Sequence, residues 1–136
     1  MEIIVDTSVI IAGEKGSFDF ESWVASQVGD DFAISAVTVA ELWEGVERAS
    51  AKAKTNRQQY IETVTSAFEV YPYTRLTALI HAKLSAALKI SGLQTGPYDL
   101  IIAATALQRS AAVATFDVRH FARFPGLAVI QPTGLR

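Results

Sequence analysis

The feature that most constrains the fold is the N-terminal stretch Ile3-Ile4-Val5, which runs directly into Asp6. These three β-prone apolar residues do not alternate with polar ones, so they predict a strand buried on both faces, as in a parallel sheet covered by helices. Asp6 would then lie at the carboxyl end of a central strand, where open α/β sheets bind their ligands. Taken alone, Asp6 is better explained as the N-cap of the next helix, because Asp is a preferred residue at that position.

The rest of the chain predicts strands that alternate with helices, which defines an α/β fold with a largely parallel sheet. Further strands are predicted at 32–34, 69–72, 111–115 and 127–130, and helices at 9–12, 19–28, 36–49, 52–68, 74–90, 97–107 and 118–121. The buried faces of two helices are predicted to carry Phe20, Trp23, Val24 and Val28, and Leu76, Leu79, Ile80, Leu84 and Leu88. The helix at 97–107 lacks a polar face, which is typical of a central buried helix.

Composition narrows the classes of protein. The length of 136 residues predicts one domain over residues 1–136, and half of the residues are hydrophobic, enough for a sizeable core. Cysteine is absent, which excludes disulfides and thiolate metal sites and favours a cytoplasmic location. We expect neither a secretory signal nor a membrane partner, because Met1-Glu2 leads straight into a strand and the apolar run 100–107 cannot span a bilayer.

The net charge of −2 argues only weakly against nucleic-acid binding. If four of the fourteen acids were metal ligands, ten acids would remain against twelve Lys and Arg, so the surface outside the site would be slightly basic. Lys52, Lys54 and Arg57 cluster at the start of one helix. We interpret this cluster as an exposed basic face, and contact with phosphate is the alternative.

Four acids occupy related positions in the predicted fold. Asp6 and Asp117 directly follow strands or their last residues, whereas Glu41 and Asp99 lie in the early turns of helices. Each has a structural explanation alone, as a helix cap, a solvated face or a partner of the helix dipole. In a parallel sheet, however, all four face the same edge, so we expect their carboxylates to converge.

Converging carboxylates need protons or a cation, because two charges about 4 Å apart repel by roughly 4 kcal/mol at an effective dielectric constant of 20. Oxygen ligands favour Mg²⁺ or Mn²⁺ over zinc, and a metal-bound water is a nucleophile at neutral pH. The reaction that fits is hydrolysis of a phosphodiester. The chain lacks the GxxxxGK[ST], GxGxxG and GxSxG motifs, so nucleotide-cradling loops and a serine hydrolase are not supported.

The four acids also lie in motifs that resemble those of PIN domains, and more closely those of the VapC toxins of bacterial type II toxin–antitoxin pairs. The motifs are Ile-Val-Asp6-Thr7-Ser8, Ile34-Ser35-x-x-Thr38-x-x-Glu41-Leu42, Asp99-x-x-Ile102-Ala103-Ala104-x-Ala106 and Thr115-x-Asp117-x-x-x-Phe121. Each motif is short, but their order and spacing are specific and cover essentially the whole chain.

The resemblance implies a three-layer α/β/α fold with about five strands. It implies a Mg²⁺-dependent endoribonuclease, with Mn²⁺ able to substitute, that cuts tRNA, rRNA or another structured RNA and so inhibits translation. It also implies a homodimer and a cognate VapB-like antitoxin that wraps the toxin and blocks its site. Asp6, Glu41, Asp99 and Asp117 would be the catalytic, metal-binding acids, and the Thr7 and Thr115 hydroxyls would orient water or carboxylates.

Two other functions remain open at this point: a catalytically silent PIN-fold binding module, and a housekeeping PIN nuclease in RNA processing or repair. A silent module is expected to have lost acids, and none is lost here. His120 stands where many relatives carry an acid. We interpret it as a structural or exposed histidine, since nothing near it in the sequence marks it as a general base.

Overall fold

A computed structural model describes residues 1–134 of the chain. Its sheet has five strands in the order β3-β2-β1-β4-β5, and every neighbouring pair is parallel. The strands are β1 (Glu2–Val5), β2 (Asp31–Ser35), β3 (Glu69–Tyr71), β4 (Ala112–Ala114) and β5 (Val129–Ile130). The helices are α1 (Thr7–Lys15), α2 (Phe20–Ser26), α3 (Ala36–Arg48), α4 (Ala51–Ser66), α5 (Arg75–Ile90), α6 (Pro97–Gln108) and α7 (Val118–Phe121). The predicted α/β class is confirmed, and the sheet is wholly parallel.

The side chains of the strands alternate between two apolar layers, one on each face of the sheet. Ile4 packs with α5, α6 and α7 on one face, through residues such as Leu84 and Ile102. Ile3 and Val5 pack on the other face with residues of α1 to α4, such as Val9. Both layers contain side chains with no exposed surface, which gives the predicted α/β/α arrangement.

The order of the strands reverses between β1 and β4. From β1, the chain builds β2 and β3 on one side, and β4 and β5 lie on the other. Val5 is aligned with Ala114, so the last residues of β1 and β4 lie side by side. The segments that follow these two strands therefore leave the sheet at a topological switch point, where α/β folds place their ligand sites.

The first helix is longer than the sequence predicted. It was expected to end near Gly13, but α1 continues to Lys15 and ends at Gly16, which has a φ of 79°. Gly13 serves close packing instead, because a Cβ there would lie 2.9 Å from Cβ of Phe20 and 2.6 Å from the hydroxyl oxygen of Tyr60. The Tyr60 hydroxyl donates to the carbonyl of Ile10 at 3.2 Å, which joins α4 to α1.

The prediction of burial is wrong for three residues. Val28 lies beyond the end of α2 and is 92% exposed. Leu76 and Leu79 lie on α5 but are 51% and 55% exposed, whereas Leu84 and Leu88 of the same helix are buried. The first turns of α5 therefore present an apolar face to solvent.

No helix within residues 1–134 combines the length and apolar character needed to cross a bilayer.

Candidate active site at the carboxyl edge of the sheet

Asp6 is held in place at the carboxyl edge of the sheet by backbone and side-chain hydrogen bonds. It directly follows β1, is only 5% exposed, and its amide donates to the carbonyl of Ala114 at 2.9 Å, which ties it to the end of β4. Asp6 occupies the N-cap position of α1, but its side chain makes no capping hydrogen bond. Its Oδ2 instead accepts hydrogen bonds from the hydroxyls of Ser8 at 2.7 Å and Thr115 at 2.8 Å. The capping explanation for Asp6 therefore does not hold.

Glu41 reaches the same edge from α3. Ser35 ends β2 and caps α3 by accepting from the amide of Val37, which places Glu41 in the second turn of that helix. Its Oε1 accepts a 2.8 Å hydrogen bond from the buried hydroxyl of Thr7. The pKa of Glu41 is raised, first by burial and then by the charges of Asp6 and Asp99, and the bond from Thr7 opposes the rise.

Asp99 approaches from the start of α6. Pro97 occupies the first turn of this helix, as predicted, and Asp99 lies in that turn. Burial raises the pKa of Asp99, followed by the charge of Asp6. His120 opposes the rise, and the charge of Asp117 adds to it. The carboxylates of Asp6, Glu41 and Asp99 therefore interact electrostatically, although the residues are far apart in the sequence.

Asp117 is the outermost of the four predicted acids. It follows β4 at the N-cap position of α7, makes no capping bond and is exposed. The amide of Asp117 donates to the hydroxyl of Thr115 at 2.9 Å, and the same hydroxyl donates to Asp6. Thr115 thus connects the loop that carries Asp117 to the central carboxylate. The two predicted threonines both contact acids: Thr7 contacts Glu41, and Thr115 contacts Asp6.

The donor set suits a hard cation better than zinc. All four acids offer oxygen atoms, which hard cations prefer. The histidine nearest to them, His120, already contacts Asp99 through Nε2, so this nitrogen is not available as a zinc ligand. Within residues 1–134, no three acidic or histidine side chains are grouped closely enough to enclose an ion by themselves. Mg²⁺ usually keeps several waters and takes only one or two carboxylates directly. The chemistry of these oxygen donors therefore fits Mg²⁺ or Mn²⁺ held partly through water.

Sequence reasoning gave two side chains of this site no contact with its acids: Ser8 was assigned no role, and His120 was interpreted as a structural or exposed histidine. Ser8 donates to Asp6, and its oxygen lies 3.4 Å from the hydroxyl oxygen of Thr115. The spacing of two residues between an aspartate and a serine was a usable signal, since short polar side chains often bond locally at that distance. His120 places its Nε2 2.9 Å from Oδ2 of Asp99. Nothing in the sequence indicated this contact, because it joins two separate segments.

The basic cluster at the start of α4 is largely paired with acids. Arg57 forms an ion pair with Glu14 at 3.0 Å and donates to the carbonyl of Gly45 at 3.2 Å. Lys54 lies 3.3 Å from Glu47. These contacts favour the interpretation of the cluster as a structural, solvated face over contact with phosphate.

Comparison with known proteins places the chain in a family. Residues 3–127 match the PIN domain family. The chain is 33% identical over 131 residues to a ribonuclease VapC of Rickettsia bellii, covering 96% of each protein. It is 33% identical over 96 residues to a tRNA(fMet)-specific endonuclease VapC of Salmonella typhimurium, covering 71% of each.

Solved structures agree with this placement. The structure of VapBC-1 from nontypeable Haemophilus influenzae has a chain with a TM-score of 0.85 and 28% identity, covering 96% of this chain and 98% of that chain. FitAcB from Neisseria gonorrhoeae gives a TM-score of 0.81 and 31% identity, covering 95% and 96%. The shared fold and full-length sequence similarity agree with the motifs around the four acids. The chain belongs to the PIN domain family and, within it, to the VapC ribonucleases.

Proposed function

We propose that this protein is a metal-dependent endoribonuclease toxin that hydrolyses phosphodiester bonds in structured RNA. The observation that carries the proposal is the convergence of Asp6, Glu41 and Asp99 at one edge of the sheet. Burial and mutual repulsion raise the pKa of both Glu41 and Asp99. Such an arrangement costs stability unless a cation is taken up, and it is typical of functional rather than structural acids.

Each acid has a distinct role in this proposal. Asp6 is buried and held by two hydroxyl donors, so its free oxygen, Oδ1, is presented in a fixed direction. Asp99 supplies a second carboxylate whose charge acts on that of Asp6, and Glu41 and the exposed Asp117 supply the other two. When bound, Mg²⁺ or Mn²⁺ would supply an activated water and neutralise charge on the phosphate. The hydrogen bond from Thr7 leaves Oε2 of Glu41 available to accept a proton from an attacking water.

The hydroxyls of Thr7 and Thr115 orient carboxylates rather than act on substrate. Thr115 is fully buried and Thr7 is 5% exposed, so neither can contact a large RNA directly. Each donates a short hydrogen bond to an acid of the site. We infer that these bonds limit rotation of the carboxylates, which keeps the oxygens aligned when a cation or a phosphate approaches.

The partners follow from the relatives. The similar structures from Haemophilus influenzae and Neisseria gonorrhoeae are VapBC and FitAcB complexes, which supports a VapB-like antitoxin for this chain. The Salmonella typhimurium relative is named as specific for tRNA(fMet), which supports tRNA as the substrate class.

We also propose a homodimer, for which the exposed Leu76 and Leu79 on α5 offer apolar surface. Light scattering tests this proposal: wild type should be a dimer, and Leu79→Lys should weaken it. A monomeric wild type would contradict the proposal.

Cleavage of a total tRNA pool tests the central proposal. Wild type is incubated with Mg²⁺, with Mn²⁺ and with EDTA, beside Asp6→Asn and the matched control Asp31→Asn. Asp31 is an exposed aspartate at the start of β2, the end of that strand remote from the site. We expect Asp6→Asn to lose at least about 100-fold in rate, in the range for removal of an electrostatic group at the reacting centre. Asp31→Asn should cleave as wild type does.

Two results would refute this function. Cleavage by wild type that continues in EDTA would rule out the metal requirement. Equal cleavage by Asp6→Asn, with thermal unfolding showing that the variant is folded, would rule out the assigned site. If folded wild type cleaves no RNA with either ion, the silent binding module becomes the better explanation.

A further inference from the structure

We propose that Arg123 and His120 form a positioning pair that holds Asp99 in the orientation needed to bind the metal. The inference deepens the proposed function and rests on it. His120 lies in α7 and its side chain is 21% exposed, so it is largely shielded from solvent. Both of its ring nitrogens have partners, and those partners determine which nitrogen carries the proton.

The guanidinium of Arg123 fixes the tautomer of His120. Nη2 of Arg123 lies 2.7 Å from Nδ1 of His120. A guanidinium can only donate hydrogen bonds, so Nδ1 must be the acceptor and carry no proton. In the neutral ring the proton is then on Nε2. This nitrogen lies 2.9 Å from Oδ2 of Asp99 and 2.8 Å from the hydroxyl oxygen of Thr95.

Arg123 is itself anchored to the backbone. Its Nη2 donates to the carbonyl of Gln94 at 2.9 Å, and its Nε donates to the carbonyl of His120 at 3.3 Å. The anchor therefore joins α7 to the loop that precedes α6, the helix that carries Asp99. Edge-to-face contacts of His120 with Phe121 and Phe124 further restrict the ring.

The consequence is a chain of contacts from Arg123 through His120 to Asp99, in which the single proton on Nε2 is shared between Oδ2 of Asp99 and the hydroxyl oxygen of Thr95. One carboxylate oxygen of Asp99, Oδ2, lies 2.9 Å from Nε2 of His120, so the ring restrains this side of the carboxylate. Partners behind a metal ligand set its direction, and their removal commonly lowers metal affinity or activity by about 10–100-fold. His120 therefore acts as a donor that orients Asp99, and with both ring nitrogens engaged it does not compete for the cation.

Nitrogen-15 NMR of the imidazole rings tests the tautomer in the full-length, metal-free protein. The chain has two histidines, so His81 serves as an internal reference. Wild type should show His120 with the proton on Nε2. Arg123→Met should lose this single tautomer, while Arg119→Met, a change at an exposed arginine of the helix that carries His120, should keep it. A wild-type proton on Nδ1 would overturn the proposal.

Mn²⁺ affinity, measured by electron paramagnetic resonance, tests the consequence for Asp99. His120→Leu removes the donor, whereas His120→Gln keeps an N–H near the position of Nε2. We expect about a tenfold loss for the leucine variant and rescue to within about threefold of wild type by glutamine. Equal affinity of wild type and His120→Leu would overturn the proposal, as would equal losses in both variants.

These readouts separate the positioning pair from the proposed function. If wild type binds Mn²⁺ but cleaves no RNA, the nuclease function fails and the comparison of the two histidine variants still decides the role of His120. If wild type binds no Mn²⁺, the metal-dependent function fails and the positioning of a metal ligand fails with it. In that case the NMR measurement still decides whether Arg123 sets the tautomer.

Discussion

Replacement of Thr115 by valine isolates the hydroxyl that joins two acids of the site. Thr115 is completely buried, and its Oγ1 donates to Oδ2 of Asp6 at 2.8 Å and accepts from the amide of Asp117 at 2.9 Å. Valine keeps the size and branching of threonine, so the packing is preserved while these two hydrogen bonds and the longer 3.4 Å contact with the Ser8 hydroxyl are lost. The variant should fold and be less stable.

The size of the loss follows from the environment of each bond. A hydrogen bond to a charged group contributes about 1.5–3 kcal/mol. Asp6 keeps its 2.7 Å bond from Ser8, and the exposed position of Asp117 lets water reach its amide, so the lower part of that range applies. We expect the free energy of unfolding to fall by about 2 kcal/mol, which lowers the melting temperature of a chain of this length by about 5–10 °C.

Urea unfolding in EDTA measures this loss, with Thr105→Val as the matched control. Thr105 is 2% exposed, but its hydroxyl donates only to the carbonyl of Ile101 one turn earlier in α6. Such a bond adds little to a helix, so the control should lose less than about 1 kcal/mol. Thr115→Ser should recover most of the loss, since it restores the hydroxyl. Equal destabilisation by Thr115→Val and Thr105→Val would refute the reasoning.

Two further predictions concern the charge of the site and the packing of α1. The pKa of Glu41 is raised by burial and by neighbouring acids, so the folded protein binds this proton more tightly than the unfolded chain. Stability without metal should therefore fall as the pH rises from about 4 through the raised pKa, and Glu41→Gln should melt above wild type at pH 7 but not at pH 3.5. An equal difference at both pH values would contradict this. Gly13→Ala should lower the free energy of unfolding by about 1–3 kcal/mol because its Cβ would lie 2.9 Å from that of Phe20. Gly45→Ala, whose Cβ has no neighbour closer than 3.7 Å, should instead gain up to about 1 kcal/mol in urea unfolding, and a gain by both variants would refute the clash.

Much of the fold follows from local patterns in the sequence. Residues 3–5 of β1 and residues 102–106 in the middle of α6 are buried, so the apolar composition of these two segments identified them. Helix ends and exposed faces depend on contacts that are distant in sequence. Gly13 lies inside α1 because Tyr60 and Phe20 pack against it, and no local rule anticipates that. Leu79 matches the spacing of a core residue, but it lies on the face of α5 that is turned to solvent, whereas Thr77 of the same turns is fully buried.

Part of the candidate site could likewise be predicted from the sequence, and part depends on contacts between distant segments. The positions of Asp6 and Asp117 after strands, and of Asp99 in the first turn of a helix, follow from the parallel topology once the strands are known. The contact between Asp99 and His120 could not be predicted, because it depends on how α7 folds back towards the start of α6. The hydrogen bond from Thr115 to Asp6 spans 109 residues of sequence and required the pairing of β1 with β4.

Calorimetric titration of Mn²⁺ into the metal-free, full-length protein tests the central claim most directly: that separate acids share one divalent cation. Wild type should bind Mn²⁺ saturably, and Asp6→Asn and Asp99→Asn should each weaken binding by at least about tenfold. Asp31→Asn, at the opposite end of the sheet, should bind as wild type does. Unchanged affinity in folded Asp6→Asn and Asp99→Asn would contradict the account, because the cation would then be held elsewhere.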